Sequence, residues 1–321
     1  MSRDAPIARV HAGASPRIAL ASIVLLASSS CTQSGSGGTG NLQVFIVPEA
    51  SITLGIDAGS SPENLQDGWS VRYSKFLVTV GNFRAHGSLS GESLTAPTVY
   101  VLDLTAPPAG GYVTATLGDV AAGRYDKVGE DMPRAKAGVS TLGSTSAADV
   151  KTMVDNGWSL YFEGEMTKPD GASCKPTDPT SCRPAARIRF KWGFAIGTSF
   201  DDCASVQGDT GFVVPVGGSV QVKPTLHGDH WFFSNVSQGS EVTRRYAQYI
   251  ADSDLDGDGE TTLDELRRVK AADVFPTPKY KLSGNVGNLP IATAYDYVAA
   301  QARTLHDFQG DGECPTRVIL E

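Results

Sequence analysis

An alternating pattern of apolar and charged residues over 187–196 constrains the fold more than any other feature of the chain. Five apolar side chains fall on one face of this segment and three basic ones on the other: Ile188, Phe190, Trp192, Phe194 and Ile196 against Arg187, Arg189 and Lys191. A period of two is typical of a half-buried antiparallel strand. Further apolar segments bounded by Gly, Pro or Ser occur at 42–47, 69–80, 98–105, 112–117, 158–166 and 220–226. The sequence therefore predicts a mainly β protein whose body, residues 41–235, is an antiparallel β-sandwich.

Helical patterns are few before residue 236 and more frequent after it. Residues 147–156 form one predicted helix, with Thr145 or Ser146 as its N-cap and Gly157 as its stop. In the last third, we predict helices over 241–251 and 264–272 and a third that Pro290 opens. Residues 236–321 are thus expected to form a helical segment packed on the β body.

The N-terminus has the features of an export signal. Basic residues precede an apolar run at 18–27, which is too short to span a bilayer, and small residues lead to Cys31. Residues 1–31 resemble a bacterial lipoprotein signal, although Ser28 stands where that family usually has Leu. The resemblance implies removal of 1–30, lipidation of Cys31 and, since Thr32 is not Asp, sorting to the outer membrane. Residues 31–40 are then a flexible Gly/Ser tether. The alternative to a lipoprotein signal is an ordinary secretory signal with a chance cysteine.

The charge of the chain excludes some partners. Its formal net charge is −8, which disfavours nucleic acid and favours cations. No segment after the signal is long and apolar enough to cross a membrane.

The cysteines indicate an oxidising compartment. The chain has 5 cysteines, and four are left when the predicted lipidation site Cys31 is set aside. An even set in an exported protein indicates two disulfides. The simplest pairing joins Cys174 to Cys182, which flank a short loop, and Cys203 to Cys314. Three pairings of the four cysteines are open. A zinc site built from all four is the alternative, although the chain has no CxxC pair.

An acidic segment at 254–265 is the strongest chemical signal. Over all twelve positions it resembles an EF-hand loop, with Gly259 at the sharp turn. The resemblance implies a Ca²⁺ ion held by Asp254, Asp256, Asp258, Glu260, Thr262 and Glu265. Thr261 stands where the family has Ile or Val. The residue at that position usually pairs, in a short strand, with a second EF-hand. The alternative is a solvated acidic loop without an ion.

Two histidines and an aspartate lie close together at the predicted end of a strand. His227, Asp229 and His230, with His306 as a candidate fourth ligand, are the donor types that suit zinc or copper. The alternative is that these side chains only hydrogen-bond the turn that leads to Trp231.

Two weaker family resemblances bear on this cluster. Residues 225–230 are similar to the HxHxDH signature of metallo-β-lactamases, with Thr225 at the first histidine, which implies a metal-dependent hydrolase. The ordering of GWSVRY, AGRYD, GWSLYFEG and FDDC resembles the β-sandwich copper proteins that partner di-haem peroxidases, although the FKWG segment lacks a histidine.

Together, these features predict a binding or structural module rather than an enzyme. The main interpretation is a calcium-binding envelope lipoprotein, anchored to the membrane by lipid, that uses calcium for stability or to engage another envelope protein. The first alternative is a copper- or zinc-binding protein, and the weaker one is the hydrolase. We find no nucleophile motif and no phosphate-binding loop.

Overall fold

The structure, a computed structural model, describes residues 37–237 and 244–319. The predicted signal peptide, the lipidation site Cys31 and residues 31–36 of the tether lie outside these ranges. The first strand begins at Thr39, so regular structure starts within the predicted tether.

The described residues are mainly β, as the sequence predicts. The strands are β1 Thr39–Pro48, β2 Ser70–His86, β3 Ser93–Asp103, β4 Tyr112–Ala121, β5 Gly123–Tyr125, β6 Lys127–Met132, β7 Ser140–Thr141, β8 Leu160–Thr167, β9 Ala172–Lys175, β10 Asp178–Pro184, β11 Arg187–Phe194, β12 Thr198–Phe200, β13 Phe212–Val214, β14 Ser219–Val222, β15 Pro224–Leu226, β16 Glu260–Thr261, β17 His306–Phe308 and β18 Thr316–Val318.

The helices are short. They are α1 Ala50–Thr53, α2 Ala147–Asn156, α3 Gln248–Asp252, α4 Leu263–Arg268, α5 Ala271–Val274 and α6 Ala294–Gln301, with 3₁₀ turns at His230–Phe232 and Val286–Asn288. Helix α2 matches its prediction: Ser146 caps it by accepting from the Asp149 amide, and Gly157 ends it at a φ of 59°.

The other predicted helices have different bounds. Helix α3 starts only at Gln248, because Arg245 forms extended bridges with Leu65 and Phe233; residues 241–243 lie outside the described ranges. The helix predicted over 264–272 is two helices, because Val269 is extended and accepts from the Ala294 amide. Helix α6 begins after Thr293, which forms a capping box, rather than at Pro290.

A large sheet carries most of the apolar strands. Its order is β16-β11-β8-β2-β6-β12-β18, with β3 paired to β2 and β7 to β3. The pairs from β11 to β18 are antiparallel, and Trp192 of β11 lies opposite Phe162 of β8. The predicted strand at 187–196 is therefore an inner strand of this sheet.

The smaller sheet is mixed, which differs from the antiparallel prediction. Its order is β14-β1-β15-β17, with β4 also paired to β1. Strand β1 runs parallel to both β14 and β15, and Pro48 lies opposite Leu226. Parallel pairing joins segments far apart in sequence, so no local pattern reveals it.

One hydrophobic cluster joins the two sheets and the C-terminal helices. Val44 of the smaller sheet, Phe162 of the large one and Tyr297 of α6 are all fully buried in it. Trp231 stacks on Phe162 with ring centroids 4.4 Å apart. The C-terminal segment is more than a helical cap, since β16, β17 and β18 add strands to both sheets.

The structure contains two disulfides, in the pairing that the sequence favours. Cys174 bonds Cys182, and Cys203 bonds Cys314. Disulfides persist in oxidising compartments, which indicates a location outside the cytoplasm. None of the helices that the structure describes has the length and apolar composition of a membrane span.

Candidate metal centre

The smaller sheet places three donor residues at one edge. Strand β15 ends at Leu226, and His227, Asp229 and His230 follow as the chain turns into a 3₁₀ helix. One ligand atom from each of these three residues lies within 4.8 Å of the other two. All three side chains are buried, with 6%, 3% and 7% of their residue surface exposed. This buried His/Asp/His group could hold a metal ion.

The turn is held in place from several sides. The His227 amide donates to Leu305 O at 2.9 Å, and the Gly228 amide donates to Ser51 Oγ at 2.9 Å. The Tyr73 hydroxyl donates to Gly228 O. A Cβ at position 228 would come within 2.7 Å of Ile52 Cγ1, so only glycine fits without displacing α1.

Asp229 has one oxygen that is anchored and one that is free. Arg245 Nε donates to its Oδ2 at 2.7 Å, and the same guanidinium contacts Glu63 at 3.0 Å. Asp229 Oδ1 is buried and has no hydrogen-bond partner. Buried polar atoms without a partner cost about 1–3 kcal/mol each, and such an atom is often one that binds an ion.

His230 is fixed in the form that can bind a metal. Its Nδ1 lies 2.8 Å from Thr304 Oγ1, and that hydroxyl donates its one hydrogen to Gln301 O at 2.8 Å. Thr304 must therefore accept from Nδ1–H, which leaves the lone pair on Nε2. Burial, reinforced by the nearby His227, lowers the pKa of His230 to about 3, so the ring is neutral at pH 7.

His227 lies between two carboxylates. Its Nδ1 is 2.8 Å from Glu49 Oε2, and its Nε2 is 3.1 Å from Asp307 Oδ2, so each ring nitrogen faces a carboxylate. Burial alone would lower the pKa of His227, but the carboxylates of Asp307 and Glu49 raise it well above its usual value. A bound cation would take the place of the proton that these carboxylates stabilise.

The fourth ligand predicted from the sequence lies elsewhere. Neighbouring residues of a strand point to opposite faces, so Asp307 of β17 faces His227 while His306 faces away. His306 Nε2 is 3.2 Å from Glu130 Oε2, and its ring stacks on Phe200 at 4.4 Å. Burial raises the pKa of Glu130. His306 is thus not a member of the buried His/Asp/His group.

Four residues of this centre escaped sequence reasoning. Glu49 ends up beside His227 because β1 and β15 run parallel and end at the same edge of the sheet. Asp307, Arg245 and Thr304 come from the C-terminal segment. Only the charged or polar character of these residues is visible in the sequence, and that is common to many surface positions.

Thr225, at the first position of the hydrolase-like signature, is not a ligand. Its hydroxyl donates to Lys223 O at 3.4 Å and accepts from the Gly310 amide at 3.0 Å.

The acidic loop joins α3 to α4 and brings three carboxylates together. One oxygen from each of Asp254, Asp256 and Asp258 lies within 4.8 Å of the others. Asp254 is buried and its Oδ1 lies 3.0 Å from Arg183 of β10, so a guanidinium already offsets part of its charge.

The other predicted loop ligands make protein contacts. Glu265 Oε1 accepts from the Leu255 amide at 2.8 Å, and Glu265 Oε2 accepts from the Thr262 amide at 2.8 Å in a capping box. The Glu260 carboxylate is 3.9 Å from Arg189. Thr261 lies opposite Phe190 in a parallel pair, so β11 pairs with β16, the strand with which a second EF-hand would otherwise pair.

Comparisons with known proteins give little further guidance. No protein-family profile matches the chain, and no curated protein matches it. Among solved structures, the chain is similar to MbnP from Methylosinus trichosporium with a TM-score of 0.29 and 10% identity, over 59% of this chain and 75% of that one. A TM-score this low does not establish a shared fold, so nothing about the function of this chain follows from it.

Proposed function

We propose that the protein binds one transition-metal ion, zinc or copper, through His227, Asp229 and His230. The observation that carries the proposal is Asp229 Oδ1, a buried oxygen without a hydrogen-bond partner, in a group whose ligand atoms lie within 4.8 Å of one another. A cation placed among these ligand atoms would satisfy that oxygen.

The surroundings favour a positive ion. Carboxylates of Glu49 and Asp307 contact His227, and Asp229 adds a third, against the single guanidinium of Arg245. A set of two imidazoles and one carboxylate binds zinc or copper in preference to calcium or magnesium. Asp229 Oδ2 accepts from Arg245 Nε and His230 Nδ1 donates to Thr304 Oγ1, and these hydrogen bonds orient both ligands, as around known metal centres.

Isothermal calorimetry with Zn²⁺ and Cu²⁺ tests this proposal. We expect the purified chain to bind one ion of either metal and His230→Gln to lose this binding. His86→Gln is the matched control, because His86 is exposed and its Nδ1 contacts only Ser93. Equal binding by all three proteins, or none by the parent chain, would refute the proposal.

A calcium site in the acidic loop is a second candidate function. The closeness of the Asp254, Asp256 and Asp258 oxygens favours it, and an ion there would have to compete with Arg183 for Asp254. We therefore expect weak affinity, about 10⁻⁴–10⁻³ M.

A calcium titration of matched variants tests this site. Asp256→Asn should weaken binding, whereas Asp264→Asn should not, because Asp264 is exposed and pairs with Arg267. Identical titrations of both variants and the parent would show that the acidic loop is not a calcium site.

We propose, further, that the protein binds ions rather than catalyses a reaction, since all three donors are buried. The proposed setting is the outer membrane, with a lipid anchor at Cys31 and another envelope protein as partner; the residues before 37 that would carry the anchor are not described by the structure. Intact-mass measurement after expression in a Gram-negative host should show a lipidated N-terminus that Cys31→Ser abolishes.

A further inference from the structure

A second group of potential ligands shares His227 and leads outward from the buried centre. Ligand atoms of Glu49, His227 and Asp311 all lie within 4.8 Å of one another. Asp311 is exposed, Glu49 is intermediate and His227 is buried, so the three residues span the distance from solvent to the core.

Each member of this group is held by the fold. The Glu49 amide donates to Leu226 O at 2.9 Å, which holds the Glu49 backbone beside His227, and Glu49 Oε2 lies 2.8 Å from His227 Nδ1. Asp311 lies in a turn after β17, where the Gly312 amide donates to Phe308 O at 3.1 Å and the Gly310 amide to Thr225 Oγ1 at 3.0 Å. The turn is therefore tied to β15, the strand that carries His227.

We propose that Glu49 and Asp311 form a loading site, which receives the metal ion from solvent and passes it to His227, Asp229 and His230. This inference rests on the proposed transition-metal function. Two carboxylates at the surface attract a hydrated cation and exchange its waters for weakly held oxygens. His227 belongs to both groups, so Asp229 and His230 can replace the outer carboxylates while the ion stays beside the same imidazole ring.

The advantage of such a route is that the ion loses its water stepwise. Moving a bare cation directly into a buried site costs far more than moving one that always has protein ligands. A residue that acts only on this route changes how fast the ion enters and leaves. It leaves the final affinity unaltered, because entry and exit share the same path.

Stopped-flow mixing with Zn²⁺, in the presence of a fast zinc-sensitive dye that reports the free ion, tests the loading site. For Asp311→Asn, we expect the association and dissociation rate constants to fall together, by about three- to tenfold, with the equilibrium Kd unchanged. Asp170→Asn is the matched control, since Asp170 is an exposed carboxylate in the turn between β8 and β9. Its rates should equal those of the parent.

The outcomes separate the two proposals. If the parent chain does not bind Zn²⁺ at all, the proposed function fails and the loading site fails with it. If the parent binds but Asp311→Asn has parent-like rates, the loading site alone is wrong. A variant with a weaker Kd and an unchanged association rate would make Asp311 a ligand of the final site, which also overturns the inference.

Discussion

Thr304 decides which nitrogen of His230 can reach a metal. Because its hydroxyl hydrogen is committed to Gln301 O, Thr304 accepts from His230 Nδ1–H and leaves Nε2 as the free donor. This control comes from a residue that does not itself belong to the ligand group. It also keeps Nε2 of His230 available as a ligand atom, although His230 lies buried next to His227.

Removing that acceptor should weaken metal binding without unfolding the protein. Thr304→Val keeps the shape of the side chain but leaves Nδ1–H without its partner, and we expect metal affinity to fall about 10- to 100-fold. Calorimetry with Zn²⁺ measures the change. Thr180→Val serves as control, since its hydroxyl contacts only Asp178 on the exposed β9–β10 hairpin; equal losses in both variants would contradict the role of Thr304.

Asp201 makes the structure sensitive to acid. Its Oδ2 accepts from Arg317 Nε at 2.9 Å and from Ser199 Oγ at 3.0 Å, and its Oδ1 accepts from Arg84 Nε at 3.2 Å. Burial acts to raise the pKa of Asp201, but the contacts with Arg84, Ser199 and Arg317 lower it below its usual value. A depressed folded-state pKa gives stability that is present above about pH 3.8 and lost as the pH falls through the folded pKa.

Asp201→Asn should therefore destabilise the protein more at pH 7 than at pH 3. We expect the free energy of unfolding to fall by about 1–2 kcal/mol at pH 7. Urea denaturation at the two pH values measures this. Asp202→Asn should change stability by less than about 0.5 kcal/mol, because its pair with Lys127 is exposed. If Asp201→Asn lowered the free energy of unfolding as much at pH 3 as at pH 7, the ionised form of Asp201 would not be the source of the stability.

At the scale of elements, sequence reasoning succeeded where a pattern is local. The alternation at 187–196 and the cap and stop residues of α2 each depend on a few neighbouring residues, and both elements are present. The parallel alignment of β1 with β15 depends on segments far apart, so the sequence did not place Glu49 beside His227. For the same reason, it put His306 at the metal centre, since the face that each residue of β17 presents depends on how that strand pairs.

The two disulfides join elements at different separations, and their contributions to stability should differ accordingly. Cys203 and Cys314 are 111 residues apart, whereas Cys174 and Cys182 are 8 apart. Closing the longer loop restricts the unfolded chain more, by about 2 kcal/mol in the chain-entropy account.

Urea denaturation of two double variants tests that difference. Cys203→Ala with Cys314→Ala should lower the free energy of unfolding by about 2 kcal/mol more than Cys174→Ala with Cys182→Ala. Equal losses, or a greater loss for the short hairpin, would show that native packing rather than loop closure sets the effect.

At the scale of the whole molecule, the candidate metal centre is attached to both sheets. His227 follows a strand of the smaller sheet, and Trp231, next to His230, stacks on Phe162 of the large one. The centre therefore lies on a rigid support rather than on a mobile loop, which suits ligands that must converge on one ion. The acidic loop is anchored separately, through the pairing of β16 with β11.

Crystallography of the metal-loaded protein at the zinc absorption edge tests the central claim most directly. We predict one strong anomalous peak among His227, Asp229 and His230, at about 2.0–2.2 Å from their ligand atoms. The absence of a peak between these three side chains, with zinc bound instead at the acidic loop or on the surface, would contradict it.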